Sequence, residues 1–195
     1  MRLLLLARHG QSLFNVAGVV NGDPARDQGL AEPGRAAARS LGRQLAGIPI
    51  DLCVTSRFPR AQETARLALG EERTFVPTLV DGGLDDVKIG ELEGDTLAAY
   101  HEWKQAHGRA DRFPGGESLD EAAARYADAF ERLAARREET ILCVCHEIPV
   151  RYAVNGAAGA PDPDAPFHDV ANATPYLFDE RSLLRAVESL RQGSK

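Results

Sequence analysis

The sequence predicts an α/β fold, a doubly wound and mostly parallel sheet with helices on both faces, and three observations lead there. Residues 2–7, 50–55 and 140–145 are short, continuous apolar runs rich in Leu, Val, Ile and Cys. They lack strict alternation, as strands buried on both faces do. Each run is followed by residues at helical spacing, so strands and helices alternate as βαβ units require. A length of 195 residues without internal repeat or low-complexity tract suits a single domain spanning residues 1–195.

Taken in order, the first run holds five apolar residues before Arg8-His9, too few for an export signal, and no small-residue cleavage site follows it. Pro33 opens a helix through Leu41 and Leu45 to Gly47, although Ala31 and Glu32 are poor caps. Residues 60–69 are rich in helix formers, with Ala61, Ala65 and Ala68 as a narrow apolar stripe. Residues 81–94 are rich in Gly and Asp, and residues 95–108 read as helix. Ser118 and Glu121 form a capping box, and Leu119, Ala122, Tyr126, Phe130 and Leu133 follow at helical spacing. Residues 156–169 read as a Gly/Pro/Asp-rich loop. The tail from Tyr176 to Asp179 and Leu183 to Leu190 is expected to form a hairpin, with helix as the alternative because of Ala186 and Glu188.

Composition narrows the function classes. With 23 Lys and Arg against 29 Asp and Glu the formal charge is −6, which argues against a general nucleic-acid binder, since phosphate backbones demand a basic face. No stretch approaches the roughly 20 apolar residues of a membrane span. Cys53, Cys143 and Cys145 are odd in number and lie in apolar runs, the pattern of buried, reduced thiols in a cytoplasmic protein. His101 and His107 stand on different faces of their helix, and Cys143 and Cys145 have no further ligands at suitable spacing, so neither a metal nor a cofactor is expected.

In an open parallel sheet, ligands bind beyond the carboxyl ends of the strands. The first strand delivers Arg8-His9-Gly10, the second Ser56 and then Arg60, and the 140–145 strand delivers His146. A guanidinium is a permanently charged planar fork that matches two phosphoryl oxygens. Beside such cations an imidazole stays neutral, and its free nitrogen can attack phosphorus. Gly10 allows close backbone packing, and a carbonyl accepting from the other ring nitrogen would fix the reactive tautomer. Singly, Arg8 and Arg60 read equally well as surface ion-pair partners and His9 as a core histidine; their convergence on one edge argues for a phosphate cage.

Arg8-His9-Gly10-Gln11-Ser12 through Asn15 resembles the R-H-G signature of the histidine phosphatase superfamily, in its phosphoglycerate-mutase-like branch. Arg60-Ala61-Gln62-Glu63-Thr64-Ala65 after Thr55-Ser56 is similar to its R-A-x-x-T-A element. Leu84-Asp85-Asp86 with Gly90-Glu91-Leu92-Glu93-Gly94 resembles L-x-E…G-x-x-E-G, Gly115-Gly116-Glu117-Ser118 resembles the G-G-E-S turn, and Val144-Cys145-His146 the strand that ends in the second catalytic histidine. The blocks stand in family order from residue 2 to about residue 155.

The resemblance implies a phosphoglycerate mutase-like fold in which His9 accepts the phosphoryl group while Arg8, Arg60 and His146 hold its oxygens. It places Asn15, Asn21 and Gly22 around the phosphate or substrate. Asp86 falls where the family usually has a glutamate that protonates the leaving oxygen, and it is one methylene shorter. Glu147 stands where this branch usually has glycine. In the acid-phosphatase branch that position carries the proton donor, so Glu147 is a rival general acid or a substrate-amine contact; a salt bridge to Arg57 or Arg151 is the plainer alternative. The chain has only about 20 residues between Gly94 and Gly115 and lacks the Y-G-x-L-x-G-x-N-K stretch of mutases. The expectation is therefore a metal-independent phosphatase of small phosphorylated metabolites, monomeric or homodimeric. A phosphoglycerate mutase and a weakly catalytic phosphate-binding regulatory module are the alternatives. Phe14, Leu92, Trp103, His168 and the 156–169 loop are candidates for shaping access and specificity.

Overall fold

The computed structural model of the chain describes residues 1–165 and 170–193. Among these, five strands form one mixed sheet in the order β3-β2-β4-β1-β5. The strands are β1 (Leu3–Arg8), β2 (Leu52–Thr55), β3 (Thr78–Val80), β4 (Thr140–Cys145) and β5 (Pro175–Phe178). The helices are α1 (Leu13–Ala17), α2 (Glu32–Gln44), α3 (Pro59–Leu69), α4 (Leu97–Ala106), α5 (Leu119–Ala134), α6 (Glu147–Ala158) and α7 (Glu180–Gly193). β1 to β4 run parallel, and β5 lies antiparallel on the β1 edge.

The unbroken apolar runs follow from two cores, one on each face of the sheet. Leu4, Leu6, Ile141, Cys143 and Cys145 point to the face covered by α5, α6 and α7. Leu5, Ala7, Cys53, Leu142 and Val144 point to the face covered by α2 and α3. Successive side chains of a strand alternate between faces, so a strand buried on both must be apolar throughout. Truncating a fully buried leucine such as Leu5 to alanine costs about 2–5 kcal/mol in cores of this kind.

Ser118 caps α5 through a complete box, accepting from the Glu121 N–H while the Glu121 carboxylate accepts from the Ser118 N–H. α2 begins without a side-chain cap at Ala31, with Pro33 in its first turn.

Two expectations are corrected, and one strand had none. The tail is a strand followed by a helix, not a hairpin. Leu183, Ala186, Val187 and Leu190 are buried at i, i+3, i+4 and i+7 along α7, a stripe that only a helix presents to one face. The 156–169 segment is not loop throughout, because α6 continues to Ala158. Gly156 lies within that helix where α6 meets α7; a Cβ there would stand 2.9 Å from Ala186 Cα, so this glycine permits close helix packing. The short edge strand β3 carries exposed residues and had no strand signal of its own.

The connections place a crevice where ligands collect in such sheets. β1 and β4 are neighbours in register, Arg8 opposite Cys145. The chain leaving β1 goes to α2 on one face, whereas the chain leaving β4 enters α6 on the other. The two connections diverge and leave a gap at the strands' carboxyl ends.

Candidate active site

Strand register brings the two histidines together. His9 follows β1 and His146 follows β4, the His9 N–H donates to the Cys145 carbonyl at 2.9 Å, and the rings meet edge to face with centroids 5.3 Å apart. Both histidines are buried. The Asn172 side-chain amide donates to the His9 carbonyl at 2.7 Å, and the Ala173 N–H donates to the Arg8 carbonyl at 2.9 Å, so the end of β1 is tied from both sides.

His9 has a defined tautomer. Its Nδ1 donates to the Gly10 carbonyl at 2.7 Å, which leaves Nε2 with its lone pair, and Arg60 Nε donates to it at 3.0 Å. Burial first, then the charges of Arg60 and Arg8, hold the His9 pKa well below the ordinary imidazole value. Its neutrality therefore owes more to desolvation than to the neighbouring cations that the sequence suggested. Gly10 supports this geometry through a close approach, since a Cβ there would lie 2.5 Å from the Gly34 carbonyl oxygen.

Arg60, at the start of α3, is 3% exposed and sits at the centre. Its guanidinium donates to both the side-chain and the main-chain oxygen of Asn21 and approaches Asp86 Oδ2 at 3.2 Å and His146 Nδ1 at 3.3 Å. It packs over the Phe58 ring at 4.3 Å. A guanidinium only donates, so His146 Nδ1 accepts and the proton resides on Nε2, which donates to Ser56 Oγ at 2.8 Å. Burial and the Arg60 charge lower the His146 pKa well below its ordinary range.

Arg8 donates to the Val170 carbonyl at 2.9 Å and pairs with Glu147 at 3.1 Å. Its Nε is buried without a hydrogen-bond partner. Asp86 Oδ2 lies 3.4 Å from His146 Nδ1. Desolvation raises the Asp86 pKa, against the opposing pull of Arg60. The main chain leading to Asp86 is held by Arg125, which donates to the carbonyls of Gly83 at 3.0 Å, Asp85 at 2.9 Å and Asp86 at 3.4 Å. Asp85 itself is buried against Arg57 at 2.6 Å, which therefore is not available to Glu147. Glu147 pairs instead with Arg8 and Arg151.

The cleft above these groups has a volume of about 230 Å³. Its lining includes Arg8, His9, Asn15, Asn21, Gly22, Arg60, Asp86 and Glu147. All the candidate catalytic and substrate-binding residues thus share one cavity except His146, which is fully buried. Asn15 also closes the α1 capping box, accepting from the Ser12 N–H at 3.0 Å. Phe14 lines the cleft, whereas Leu92 and Trp103 pack on the core and do not. Trp103 stacks on Phe113 and His107. His101 reaches the cleft wall from α4 together with Leu97, Tyr100 and Lys104. His168 and the end of the 156–169 loop lie outside the described residues.

Sequence reasoning missed the residues that position this site. Glu93 accepts from Asn21 Nδ2 and from the Gly22 N–H, each at 2.6 Å; its place in the second glutamate of the G-x-x-E-G block was the available signal. Asp27 accepts from the Arg60 N–H at 2.7 Å, and nothing local in the sequence marks it.

A doubly wound sheet whose crevice holds two neutral imidazoles joined by one buried guanidinium is suited to a small tetrahedral anion. Residues 4–186 match the histidine phosphatase superfamily (branch 1), and the chain belongs to that family of enzymes. It is 34% identical to a 2,3-bisphosphoglycerate-dependent phosphoglycerate mutase of Methylobacterium sp. (strain 4-46), across 91% of this chain and 90% of that one. Among solved structures, a mycobacterial glucosyl-3-phosphoglycerate phosphatase in complex with VO3 is 28% identical with a TM-score of 0.72, covering 91% of this chain and 92% of that one. The alpha-ribazole phosphatase from Shigella flexneri shares the fold at a TM-score of 0.74 and 24% identity, over 91% and 95% of the two chains.

Proposed function

We propose that the protein is a metal-independent phosphomonoester phosphatase acting on a small phosphorylated metabolite through a phosphohistidine on His9. The observation that carries this reading is the His9 ring itself: Nδ1 is committed to the Gly10 carbonyl at 2.7 Å, so the lone pair stands on Nε2, where Arg60 Nε donates to it at 3.0 Å. A neutral imidazole whose proton is held on Nδ1 is a competent nucleophile at Nε2 once Arg60 turns its donor to a phosphoryl oxygen.

In the first step Nε2 attacks phosphorus and the ester P–O bond breaks. Arg8 and Arg60 hold the phosphoryl oxygens, and His146 joins them when its Nδ1 carries a proton to donate. Asp86, whose pKa is raised by desolvation, gives its proton to the departing alcohol. In the second step the Asp86 carboxylate takes a proton from water, which attacks the phosphohistidine and releases phosphate. Asn15, Asn21, Gly22 and Glu147 line the substrate's path. Glu147 is engaged by two arginines and is the poorer candidate for the acid, because Asp86 stands closer to the centre, at 3.2 Å from Arg60 and 3.4 Å from His146.

The mutase reading retains one specific support, the 34% identity to a protein named as a mutase. Mutual coverage of 91% and 90% also means that extra chain length does not separate the two activities here. The same proposal takes residues 1–195 as one domain. Three buried free thiols support a reducing, cytoplasmic setting, and the protein is taken to work as a monomer or homodimer.

The test is phosphate release from a panel of phosphomonoesters, repeated with His9→Ala and with chelator. Turnover that is lost in the variant and indifferent to chelator is expected. Unchanged turnover in the variant, or its abolition by chelator, defeats the mechanism. Interconversion of phosphoglycerates in excess of phosphate release would favour the mutase.

A further inference from the structure

Glu147 occupies an unusual electrostatic position. It is the first residue of α6, so its carboxylate stands next to His146 on the wall of the cleft. One oxygen meets Arg8 Nη1 at 3.1 Å and the other meets Arg151. The two arginines are thus bridged by a single negative charge. Both also keep a buried Nε without a hydrogen-bond partner. Lys104 enters the same cleft from α4, with its nitrogen 5.7 Å from the centre of the Tyr100 ring. Among the described residues no carboxylate forms an ion pair with it.

We propose that Glu147 is a specificity-determining residue that makes the cleft reject phosphomonoesters carrying a second acid group close to the ester, and favour those carrying a hydroxyl or ammonium there. The inference rests on the phosphatase reading above and refines its substrate class. An ionised carboxylate only accepts hydrogen bonds. A substrate carboxylate directed at that wall meets like charge in a half-enclosed cleft, where solvent screens it poorly. Arg8 and Arg151 already share the Glu147 carboxylate, so they offer a substrate carboxylate less than two unpaired guanidiniums would. A substrate hydroxyl or ammonium in the same place can donate to Glu147. Discrimination built by placing a repulsive group is the ordinary way to separate ligands that share a common phosphoryl anchor. Without the charge, Arg8, Arg151 and Lys104 would face the cleft with no carboxylate from α6, and the preference should move toward acidic substrates.

Two matched pairs of probes test this, glycerol 2-phosphate against 2-phosphoglycerate and glycerol 3-phosphate against 3-phosphoglycerate. The members of each pair differ only in a hydroxymethyl group replaced by carboxylate. The quantity to read is the ratio of kcat/KM within each pair, for the wild-type protein, Glu147→Gln and Glu147→Asp. The wild-type protein is expected to prefer the glycerol member by about tenfold or more, the size of one like-charge contact near a protein surface. Glu147→Gln should shrink that preference by about tenfold, mainly through a gain on the phosphoglycerates, whereas Glu147→Asp, which keeps the charge, should preserve it. A wild-type preference for the phosphoglycerates overturns the inference. So does an equal change on both members of a pair in Glu147→Gln. If the wild-type protein releases phosphate from none of the four probes nor from p-nitrophenyl phosphate, the phosphatase reading fails and this inference falls with it.

Discussion

Arg60 Nε donates to His9 Nε2 at 3.0 Å while Arg60 Nη2 lies 3.3 Å from Nδ1 of His146. One buried guanidinium therefore orients both imidazoles and leaves neither room to be protonated. A lysine cannot do this, because its point charge lacks the rigid fork. Arg60→Lys is expected to lower kcat/KM by about 10²–10³, the cost of losing one preorganised donor group, while thermal unfolding stays cooperative. Steady-state kinetics beside a melting curve checks both halves, and a variant within threefold of wild type contradicts the proposed role.

Asp86 and Glu147 can be separated by leaving-group dependence. If Asp86 is the acid, Asp86→Asn should lower kcat on alkyl phosphates by about 10²–10⁴. It should have far less effect on p-nitrophenyl phosphate, whose leaving group needs no proton. Should Glu147→Gln show this pattern and Asp86→Asn not, the assignment reverses.

The rate profile with pH should be bell-shaped in kcat/KM. On the acid side activity falls as His9 takes a proton, and since burial and two arginines depress its pKa, that limb lies well below about pH 6.5, the ordinary imidazole value. On the basic side activity falls as Asp86 loses its proton, at a pH above the usual carboxylate range because desolvation raises its pKa. In Asp86→Asn the basic limb should vanish; its persistence would point to another acid.

Stability should share the acid dependence. His9 and His146 are both held neutral in the fold, with lowered pKa values. Below about pH 6.5 the unfolded chain binds protons that the folded chain refuses, so the unfolding free energy falls as pH falls, by up to about 1.4 kcal/mol per pH unit for each histidine. The contribution is fully present above that pH. Denaturant melts at pH 7 and pH 5 on wild type and His146→Gln would expose it, and identical slopes with pH in the two proteins would refute the assignment to His146.

Glu93 should matter although it is outside the reacting centre. Its carboxylate holds Asn21 and the Gly22 N–H at 2.6 Å each, and Asn21 in turn holds Arg60. Glu93→Ala leaves two donors unsatisfied, a loss of about 1–3 kcal/mol in unfolding free energy. A lower kcat/KM accompanied by unchanged stability would mean that the contact serves catalysis alone.

Much of this was readable from the chain because it is written in local patterns. The double-faced cores of β1, β2 and β4 appear as unbroken apolar runs, and the start of α5 appears in Ser118 and Glu121. The ends of β1 and β4 carry His9 and His146 by their position alone. What was not readable depends on partners distant in sequence. Glu93 and Asp27 act on residues 33 to 72 positions away, and no spacing rule connects them. For the tail the sequence leaves hairpin and helix both open after Asp179, because a short amphipathic segment reveals which it is only when a packing face is present.

The amino-acid sequence by itself determined the alternation of strands and helices, the two-faced cores and the identity of the groups at the strand ends. Only the tertiary structure decided their chemistry. Which nitrogen of His9 keeps its lone pair, which carboxylate stands by His146 and which by Arg8, and how far the imidazoles are pushed toward neutrality all follow from burial and from contacts across the fold. These are long-range electrostatic and steric facts, and they exist only once β1 and β4 lie side by side with α3 packed against their ends.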